Sequence, residues 1–275
     1  MGSLQGSHRL QKVLAHLGVA SRRQAEGMIV AGRVQVNQAV IRELGYKVDL
    51  ERDEIWLDGR RLSGGSLASN TASPPATVTL LLHKPVGILS TCRDPQQRRT
   101  VLDLLPTSLR QAYRLYPVGR LDRDSTGAIL LTNDGELALR LTHPRYHIPK
   151  TYRVGVKGRV GEATLQQWRE GVDLEEGTTL PAQVDYCPAV GLGIPDPITP
   201  PGQHDDMTWL MIVMREGRKR QIRRIADYLG HPVVYLHRQA IGSLSLGALL
   251  PGQFRWLSST ELANLHHESQ ADHVC

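Results

Sequence analysis

Residues 117–135 read Pro-Val-Gly-Arg-Leu-Asp-Arg-Asp-Ser-Thr-Gly-Ala-Ile-Leu-Leu-Thr-Asn-Asp-Gly. Residues 128–132 form an apolar run with strand character, and the polar stretch before it begins and ends with glycine. Gly119 and Gly127 permit the backbone angles of a tight loop. We therefore predict a loop that presents Asp122 at the edge of a sheet, where catalytic groups are common.

An aspartate in a polar turn is most often only a turn residue. The neighbours of Asp122 favour a chemical role, because Arg120 and Arg123 stabilise its ionised form and leave it able to act as a nucleophile. Asp124 is a second carboxylate two residues away. We interpret Asp124 as a turn residue or as the partner of a nearby arginine.

Residues 215–224 carry six basic side chains and one acidic one. The segment follows a predicted strand and opens a predicted helix, whose N-terminus also attracts anions. Arg220 and Arg224 lie four residues apart and project from the same side of that helix. The pattern indicates a phosphate-binding surface, although isolated basic helices are usually only solvated.

Residues 149–154 read Pro-Lys-Thr-Tyr-Arg-Val and form a predicted strand. Tyr152 lies beside two cations and is suited to stack on a base. A tyrosine at this position on a strand is more often a packing residue.

Residues 8–47 contain seven basic and two acidic side chains, almost the whole surplus of the chain, whose net charge is +6 over 275 residues. Leucine and valine at helical spacing predict a helix after His8, and Ser21 is a plausible N-cap for a second. Residues 33–37 alternate as a half-buried strand does. The positive charge favours a polyanionic partner.

The rest of the chain alternates strands and helices without a regular β-α-β period, which predicts an α+β fold. We expect strands over 78–83, 128–132, 151–156, 209–214 and 232–236, and helices over 136–141, 164–170 and 221–229. Residues 63–77 have the composition of a flexible linker. The Pro- and Gly-rich stretch from Cys187 to Met207 is expected to be an exposed loop, and the tail after Leu262 to be disordered.

Composition excludes several classes. The chain contains no apolar run of the length a membrane helix needs and no secretory signal pattern, so we expect a cytoplasmic protein with no membrane partner. Cys92, Cys187 and Cys275 are scattered and form no metal-ligand pattern, so no metal site is expected.

Four motifs in order resemble the bacterial ribosomal-RNA pseudouridine synthases of the RsuA family. They are Gly119-Arg120-Leu121-Asp122 with Ser125-Thr126-Gly127, Leu130 to Gly135, Lys150-Thr151-Tyr152, and Glu216 to Arg224; Lys84-Pro85-Val86-Gly87 and the run 100–106 fit the same family. Residues 8 to about 55 are similar to the alpha-L RNA-binding module named after ribosomal protein S-four. His83 stands where members of the family often carry asparagine, and the loop from Cys187 to Met207 is longer than usual.

The resemblance implies an α-L module over 8–62, a linker over 63–77, a catalytic domain over 78–262 with a mixed, mainly antiparallel sheet flanked by helices, and a disordered tail over 263–275. It implies isomerisation of uridine to pseudouridine without metal or cofactor, with Asp122 as the essential group. Asp122 either attacks the anomeric carbon or removes a ribose proton, and the sequence does not choose between these roles.

The resemblance also assigns supporting residues. Arg223 corresponds to the family's basic partner of the aspartate, Tyr152 to the tyrosine that lies on the base, and Arg120 is a candidate to fill the stack that the flipped uridine leaves. We expect RNA contacts from these basic residues: Arg22, Arg23, Arg33, Arg218, Lys219, Arg220 and Arg224.

The expected partner is ribosomal RNA or a pre-ribosomal particle. The Thr-Asn-Asp-Gly and Pro-Lys-Thr-Tyr motifs resemble the branch that acts on the large subunit, and the small subunit is the alternative. A monomer is expected, because no heptad pattern or apolar interface stripe occurs. Two other functions compete: a non-catalytic RNA-binding or ribosome-assembly factor, and a hydrolase that uses Asp122 and Asp124 as paired carboxylates.

Overall fold

The computed structural model describes residues 6–62, 77–188 and 206–271. The chain divides into two compact units, with the boundary between Thr77 and Val78. Most of the predicted linker, the middle of the loop from Cys187 to Met207, and Cys275 lie outside the described residues.

The N-terminal unit contains two helices and a small antiparallel sheet. Its elements are β1 (Ser7–Arg9), α1 (Leu10–His16), α2 (Arg22–Val30), β2 (Val34–Val36), β3 (Ala39–Ile41), β4 (Lys47–Asp49), β5 (Ile55–Leu57) and β6 (Arg60–Leu62). Strands β3, β2, β5 and β6 lie side by side in that order, and β1 pairs with β4. Ser21 caps α2 as predicted: its hydroxyl accepts from the Gln24 N–H, and the Gln24 side chain accepts from the Ser21 N–H. Both helices bury their apolar faces in one core that includes Leu10, Leu14 and Ile29.

The larger unit is built on one extended sheet. Its strands are β7 (Thr79–Lys84), β8 (Tyr116–Val118), β9 (Thr126–Thr132), β10 (Lys150–Lys157), β11 (Asp173–Leu174), β12 (Gly177–Thr178), β13 (Gln183–Tyr186), β14 (Met207–Met214), β15 (Val233–Ile241), β16 (Leu244–Ser245) and β17 (Phe254–Trp256). Its helices are α3 (Thr107–Ala112), α4 (Gly135–Thr142), α5 (Glu162–Glu170), α6 (Gln221–Tyr228) and α7 (Ser259–Ala271), with short 3₁₀ turns at Val101–Leu104 and Pro144–Tyr146.

The main path of the sheet runs β13-β14-β10-β15-β9-β7-β17, with β16 added to β15 and β8 to β9. Within the described residues every pair in this sheet is antiparallel except β9 with β15. Strands β11 and β12 form a separate small hairpin. The predicted α+β class, with a mixed and mainly antiparallel sheet flanked by helices, is confirmed.

Strand β7 is buried on both faces. Leu81 packs into a core with α4 and α7, whereas Leu80 and Leu82 pack into a core with residues 88–115 on the other face. A strand covered on both sides reads as a continuous apolar run rather than an alternating one. This explains why 78–83 was recognisable as a strand from hydrophobicity alone.

The predicted disorder of residues 263–275 is wrong for residues 263–271, which continue helix α7. Leu265 on this helix is fully buried, and the Glu268 carboxylate accepts from the Ser243 N–H. The sequence does contain a signal for the start of this helix, a serine followed three residues later by a glutamate. Ser258 and Glu261 form the reciprocal side-chain-to-backbone hydrogen bonds of a capping box. The last four residues lie outside the described range.

Two histidines lie buried in the middle of the sheet. Their rings meet edge to face with centroids 5.2 Å apart. His83 Nδ1 is 2.7 Å from the Leu249 carbonyl oxygen, and His237 Nδ1 is 2.9 Å from Thr126 Oγ1. Burial, with smaller contributions from His83 and Arg153, lowers the pKa of His237 to about 3. His237 is therefore neutral in the folded protein at any pH near neutrality.

Because the pKa of His237 is lower in the folded than in the unfolded chain, the unfolded chain binds more protons between about pH 6.5 and pH 3. We expect the free energy of unfolding to fall by roughly 1.4 kcal/mol per pH unit on account of His237 as pH decreases below about 6.5. Urea denaturation at pH 7 and pH 4.5 measures this slope. His237→Gln should flatten it, whereas His267→Gln, at an exposed position on α7, should leave it unchanged. An equal slope in the wild type and His237→Gln would contradict the prediction.

Candidate active site

The loop between β8 and β9 carries Asp122, and two glycines shape it. Gly119 has φ +70° and Gly127 has φ +110°. A Cβ on Gly127 would lie 2.2 Å from the backbone oxygen of Arg238. Only glycine fits at position 127, because β9 and β15 approach each other closely there.

The buried ammonium group of Lys84 holds one side of this loop. Lys84 Nζ donates to the carbonyl oxygens of Ser125 at 2.7 Å, Pro85 at 3.0 Å and Arg123 at 3.4 Å. Burial lowers the pKa of Lys84 to about 8, although Asp124 and Asp122 favour its charged form. In the sequence, Lys84 is recognisable only as part of a family motif; a lysine at the end of an apolar strand was the available signal for a buried cation.

A serine and a glycine hold the other side of the loop. The Ser90 hydroxyl donates to the Leu121 carbonyl at 2.9 Å and accepts from the Leu121 N–H at 3.1 Å. The Gly87 N–H donates to the Arg123 carbonyl at 2.7 Å. The backbone on both sides of Asp122 is thus fixed, so the carboxylate has a defined position.

Two carboxylates and two arginines meet at the loop. Arg220 Nη1 lies 3.7 Å from Asp122 Oδ2 and 3.6 Å from Asp124 Oδ2, and Arg223 Nη2 lies 3.7 Å from Asp124 Oδ2. The Asp122 side chain is 32% exposed and that of Arg223 is 10% exposed. Asp122 is therefore partly open to a substrate, and its carboxylate also faces the positive charge of Arg220.

The arrangement differs from the expected pairing of Arg223 with Asp122. Arg223 Nη2 donates to the Asp124 carbonyl at 3.1 Å and to Ser125 Oγ at 3.4 Å, so Arg223 holds the loop just after the catalytic candidate. Burial lowers the pKa of the Arg223 guanidinium, while Asp124 and Asp122 favour its charged form. In the described residues the ion-pair partner of Asp122 is Arg220, for which the sequence predicts an RNA contact.

Tyr152 lies in the same row of the sheet as the start of β9. Tyr152 on β10 pairs with Arg238 on β15, and Arg238 pairs with Gly127. Neighbouring strands are about 4.8 Å apart, so the Tyr152 and Gly127 backbones are separated by roughly 10 Å. The Tyr152 side chain is partly buried and packs against the cores on either side of it. Arg120 is exposed on the loop itself.

The basic residues of the segment 215–224 are used unequally. Arg218 donates to the carbonyls of Gly177 and Thr178, both at 2.6 Å. Arg224 forms a two-pronged ion pair with Glu176. Lys219 and Arg220 line a depression together with Glu176 and Arg224. Much of the predicted phosphate-binding charge is thus engaged within the protein, and Lys219 and Arg220 face the depression.

The N-terminal unit shows a similar division. Arg22 and Arg23 are exposed at the start of α2. Arg33 instead donates two hydrogen bonds to the Asp58 carboxylate, from Nε at 2.9 Å and from Nη2 at 2.5 Å. Of these three predicted RNA contacts, Arg22 and Arg23 are presented to solvent by one helix turn, and Arg33 stabilises the turn between β5 and β6.

In the described ranges no helix is long and apolar enough to cross a membrane. Among the same residues, no three or more side chains of His, Cys, Asp or Glu are grouped so that they could hold a metal ion.

Comparisons with known proteins show which families the chain resembles. The family described as RNA pseudouridylate synthase matches residues 78–227, and the S4 domain family matches residues 8–55. The protein named ribosomal large subunit pseudouridine synthase B of Bacillus subtilis is 38% identical over 265 residues, which cover 96% of this chain and 97% of the relative. A protein of Aquifex aeolicus named as an uncharacterized RNA pseudouridine synthase is 39% identical over 258 residues, which cover 94% of this chain and 93% of the relative.

A solved structure described as a pseudouridylate synthase has 29% sequence identity and a TM-score of 0.61, and the match covers 94% of this chain and 99% of that one. The chain belongs to the RNA pseudouridylate synthase family and carries an S4 domain in its N-terminal unit. The resemblance found in the sequence is confirmed, and the protein is an RNA pseudouridine synthase, an isomerase.

The close approach at Gly127 is testable. Gly127→Ala places a methyl group against the Arg238 backbone and in a conformation that alanine resists, so we expect a loss of about 3 kcal/mol of stability and a loss of the turnover that depends on the loop. Gly252→Ala is the matched control, since Gly252 also has a positive φ, +84°, but its Cβ meets nothing within 4 Å. Thermal denaturation compares the two; equal melting temperatures would show that β9 and β15 accommodate the methyl group.

Proposed function

We propose that this protein converts a uridine of ribosomal RNA to pseudouridine, that the target lies in the large-subunit RNA, and that it acts in the cytoplasm. The name of the Bacillus subtilis relative supports the large-subunit target. The observation that carries the catalytic assignment is the half-exposed Asp122 carboxylate, fixed by its loop and paired with Arg220.

The isomerisation breaks the bond between N1 of uracil and C1′ of ribose and joins C5 to C1′. The substrate and the product have the same atoms and the same oxidation state, so the reaction needs no co-reactant. Asp122 serves either as the nucleophile that attacks C1′ or as the base that removes the C2′ proton. Both roles require an ionised carboxylate, and Arg220 Nη1 lies 3.7 Å from Asp122 Oδ2.

A uridine within a helix is not accessible to Asp122, so the nucleotide must leave the stack at a cost of a few kcal/mol. Tyr152, in the same sheet row as Gly127, is our candidate for the side chain that lies on the flipped base. Arg120, exposed on the loop beside Asp122, is our candidate to fill the vacated stack. Arg223 supports the site by holding the backbone at Asp124.

RNA outside the target nucleotide is proposed to bind through exposed cations. In the N-terminal unit these are Arg22, Arg23 and Arg33, the last after release from Asp58. In the larger unit they are Lys219, which faces the depression, and Arg224, where an RNA phosphate replaces Glu176.

We expect Asp122→Asn to fold and to bind RNA but to form no pseudouridine. Asparagine preserves the shape of the side chain and removes the negative charge that either mechanism needs. Release of tritium from uridine labelled at C5 measures turnover. Asp134→Asn is the control: Asp134 caps α4 through its side chain, and asparagine caps equally well, so turnover should persist.

Product formation by Asp122→Asn would remove this residue from the mechanism. Absence of tritium release from the wild type, with RNA binding intact, would favour the alternative of a non-catalytic RNA-binding factor. Mapping of pseudouridines in both ribosomal RNAs from cells with and without the protein tests the subunit.

Binding by the N-terminal unit should depend on salt. Replacement of Arg22 and Arg23 by glutamine removes two phosphate contacts, and we expect the slope of log affinity against log salt to decrease by about 1.5 to 2. Arg159→Gln, at an exposed position of the larger unit outside both basic segments, should leave the slope unchanged. Filter binding from 50 to 200 mM salt measures both. An unchanged slope in the double variant would place the N-terminal contact elsewhere.

A further inference from the structure

Arg220 is placed differently from the other basic residues of its segment. Its Nη1 lies within 3.7 Å of both Asp122 Oδ2 and Asp124 Oδ2, so one nitrogen is shared between two carboxylates. Arg218 is engaged with carbonyl groups and Arg224 with Glu176. Within the described residues, Arg220 is thus the member of the segment that pairs with the proposed catalytic group.

The backbone of Arg220 supports a positioning role. Arg220 is the N-cap of α6 and has φ 52° and ψ 31°, in the left-handed region that favours glycine. A strained non-glycine residue persists where the surrounding structure requires it, and such residues are concentrated at functional sites. Here the conformation starts the helix while the guanidinium reaches the Asp122 loop.

We propose that Arg220 is a positioning residue of the isomerisation and that Asp124 is its alternate partner. Arg220 orients Asp122 through their ion pair before the reaction, and it shifts to Asp124 when Asp122 loses its charge. This inference rests on the proposed function of Asp122.

The loss of charge occurs in both mechanisms. In nucleophilic attack, an Asp122 oxygen forms a bond to C1′, the C1′–N1 bond breaks, and its electron pair leaves with uracil. In proton abstraction, the oxygen takes the C2′ proton, the C–H electron pair forms the C1′–C2′ double bond, and uracil again leaves with the N1 pair. Either way Asp122 becomes neutral as an ester or an acid, and Arg220 loses one of its two anionic partners.

Asp124 is the remaining anionic partner, and it already lies 3.6 Å from the same nitrogen, so Arg220 needs no large movement to pair with it. The other charged groups that face this pair are Lys84, which lies beneath the loop, and Arg223, which pairs with Asp124. Without Asp124, three cations would surround a neutral Asp122. The second carboxylate therefore lowers the cost of discharging the first.

The competing assignment makes Arg220 a phosphate ligand, since it also lines the depression with Lys219. The two assignments predict opposite effects. Loss of a positioning residue lowers the rate at saturating RNA, whereas loss of a phosphate contact lowers affinity and the salt slope.

The test uses the full chain and a large-subunit ribosomal RNA transcript that carries tritium at uridine C5, under single-turnover conditions. We expect Arg220→Gly to reduce the rate at saturating RNA at least 100-fold, to change Kd less than twofold, and to keep or raise the melting temperature because glycine fits the left-handed conformation. Arg220→Lys should recover at least tenfold of the lost rate. Lys219→Gln, which removes a neighbouring charge, should raise Kd about threefold.

The role of Asp124 is tested by a double-mutant cycle. Asp124→Asn should lower the rate several-fold in the wild type and have no further effect in Arg220→Gly. If the full loss persists in Arg220→Gly, Asp124 acts through Arg223 and the shared-partner inference is wrong.

Arg220→Gly with a wild-type rate and a weakened Kd overturns the positioning role in favour of phosphate binding. These failures are distinct from failure of the proposed function, in which the wild type itself releases no tritium.

Discussion

Strands β9 and β15 pair side by side over a short parallel stretch, His237 with Thr126 and Arg238 with Gly127, and this pairing joins the two halves of the sheet. Strands β13, β14 and β10 lie on one side of it, and β7 and β17 on the other. Asp122 belongs to the half that contains β9 and Tyr152 to the half that contains β10. The distance between the proposed catalytic carboxylate and the proposed base-stacking ring therefore depends on how closely β15 approaches β9, which the absence of a side chain at Gly127 determines.

The same region concentrates buried positive charge. Burial lowers the pKa of both Lys84 and Lys150 to about 8, and Arg238, which lies between them in the sheet, adds to the effect at each. Buried cations are costly unless they are hydrogen-bonded or paired. Lys84 recovers part of that cost from three loop carbonyls, and the carboxylates of Asp122 and Asp124 favour its charged form. The lysine that fixes the loop thus also places a buried positive charge close to the two carboxylates of the loop.

The sequence predicted the elements that bury apolar side chains and the loop that carries Asp122. Strands β7, β9 and β10 follow from apolar runs, and α2 from its cap, because these signals are local. Strand β17 and helix α7 were missed. Residues 254–256 are too few to show a period, and Leu265 is buried only because β16 and α4 lie nearby. The pairing of Arg220 rather than Arg223 with Asp122 was equally inaccessible, since it depends on the left-handed turn before α6.

The charge surplus also has a different meaning once the structure is known. The two segments that account for it, residues 8–47 and 215–224, include Arg33, Arg218 and Arg224, and all three are satisfied within the protein by Asp58, backbone carbonyls and Glu176. An ion pair between exposed side chains contributes little to stability. A phosphate can therefore replace Asp58 or Glu176 at little cost, whereas it cannot replace the carbonyls that hold Arg218 without disrupting the β11–β12 hairpin. We therefore expect RNA to contact the basic residues that are paired with exposed carboxylates, whereas Arg218 holds the hairpin through the Gly177 and Thr178 carbonyls.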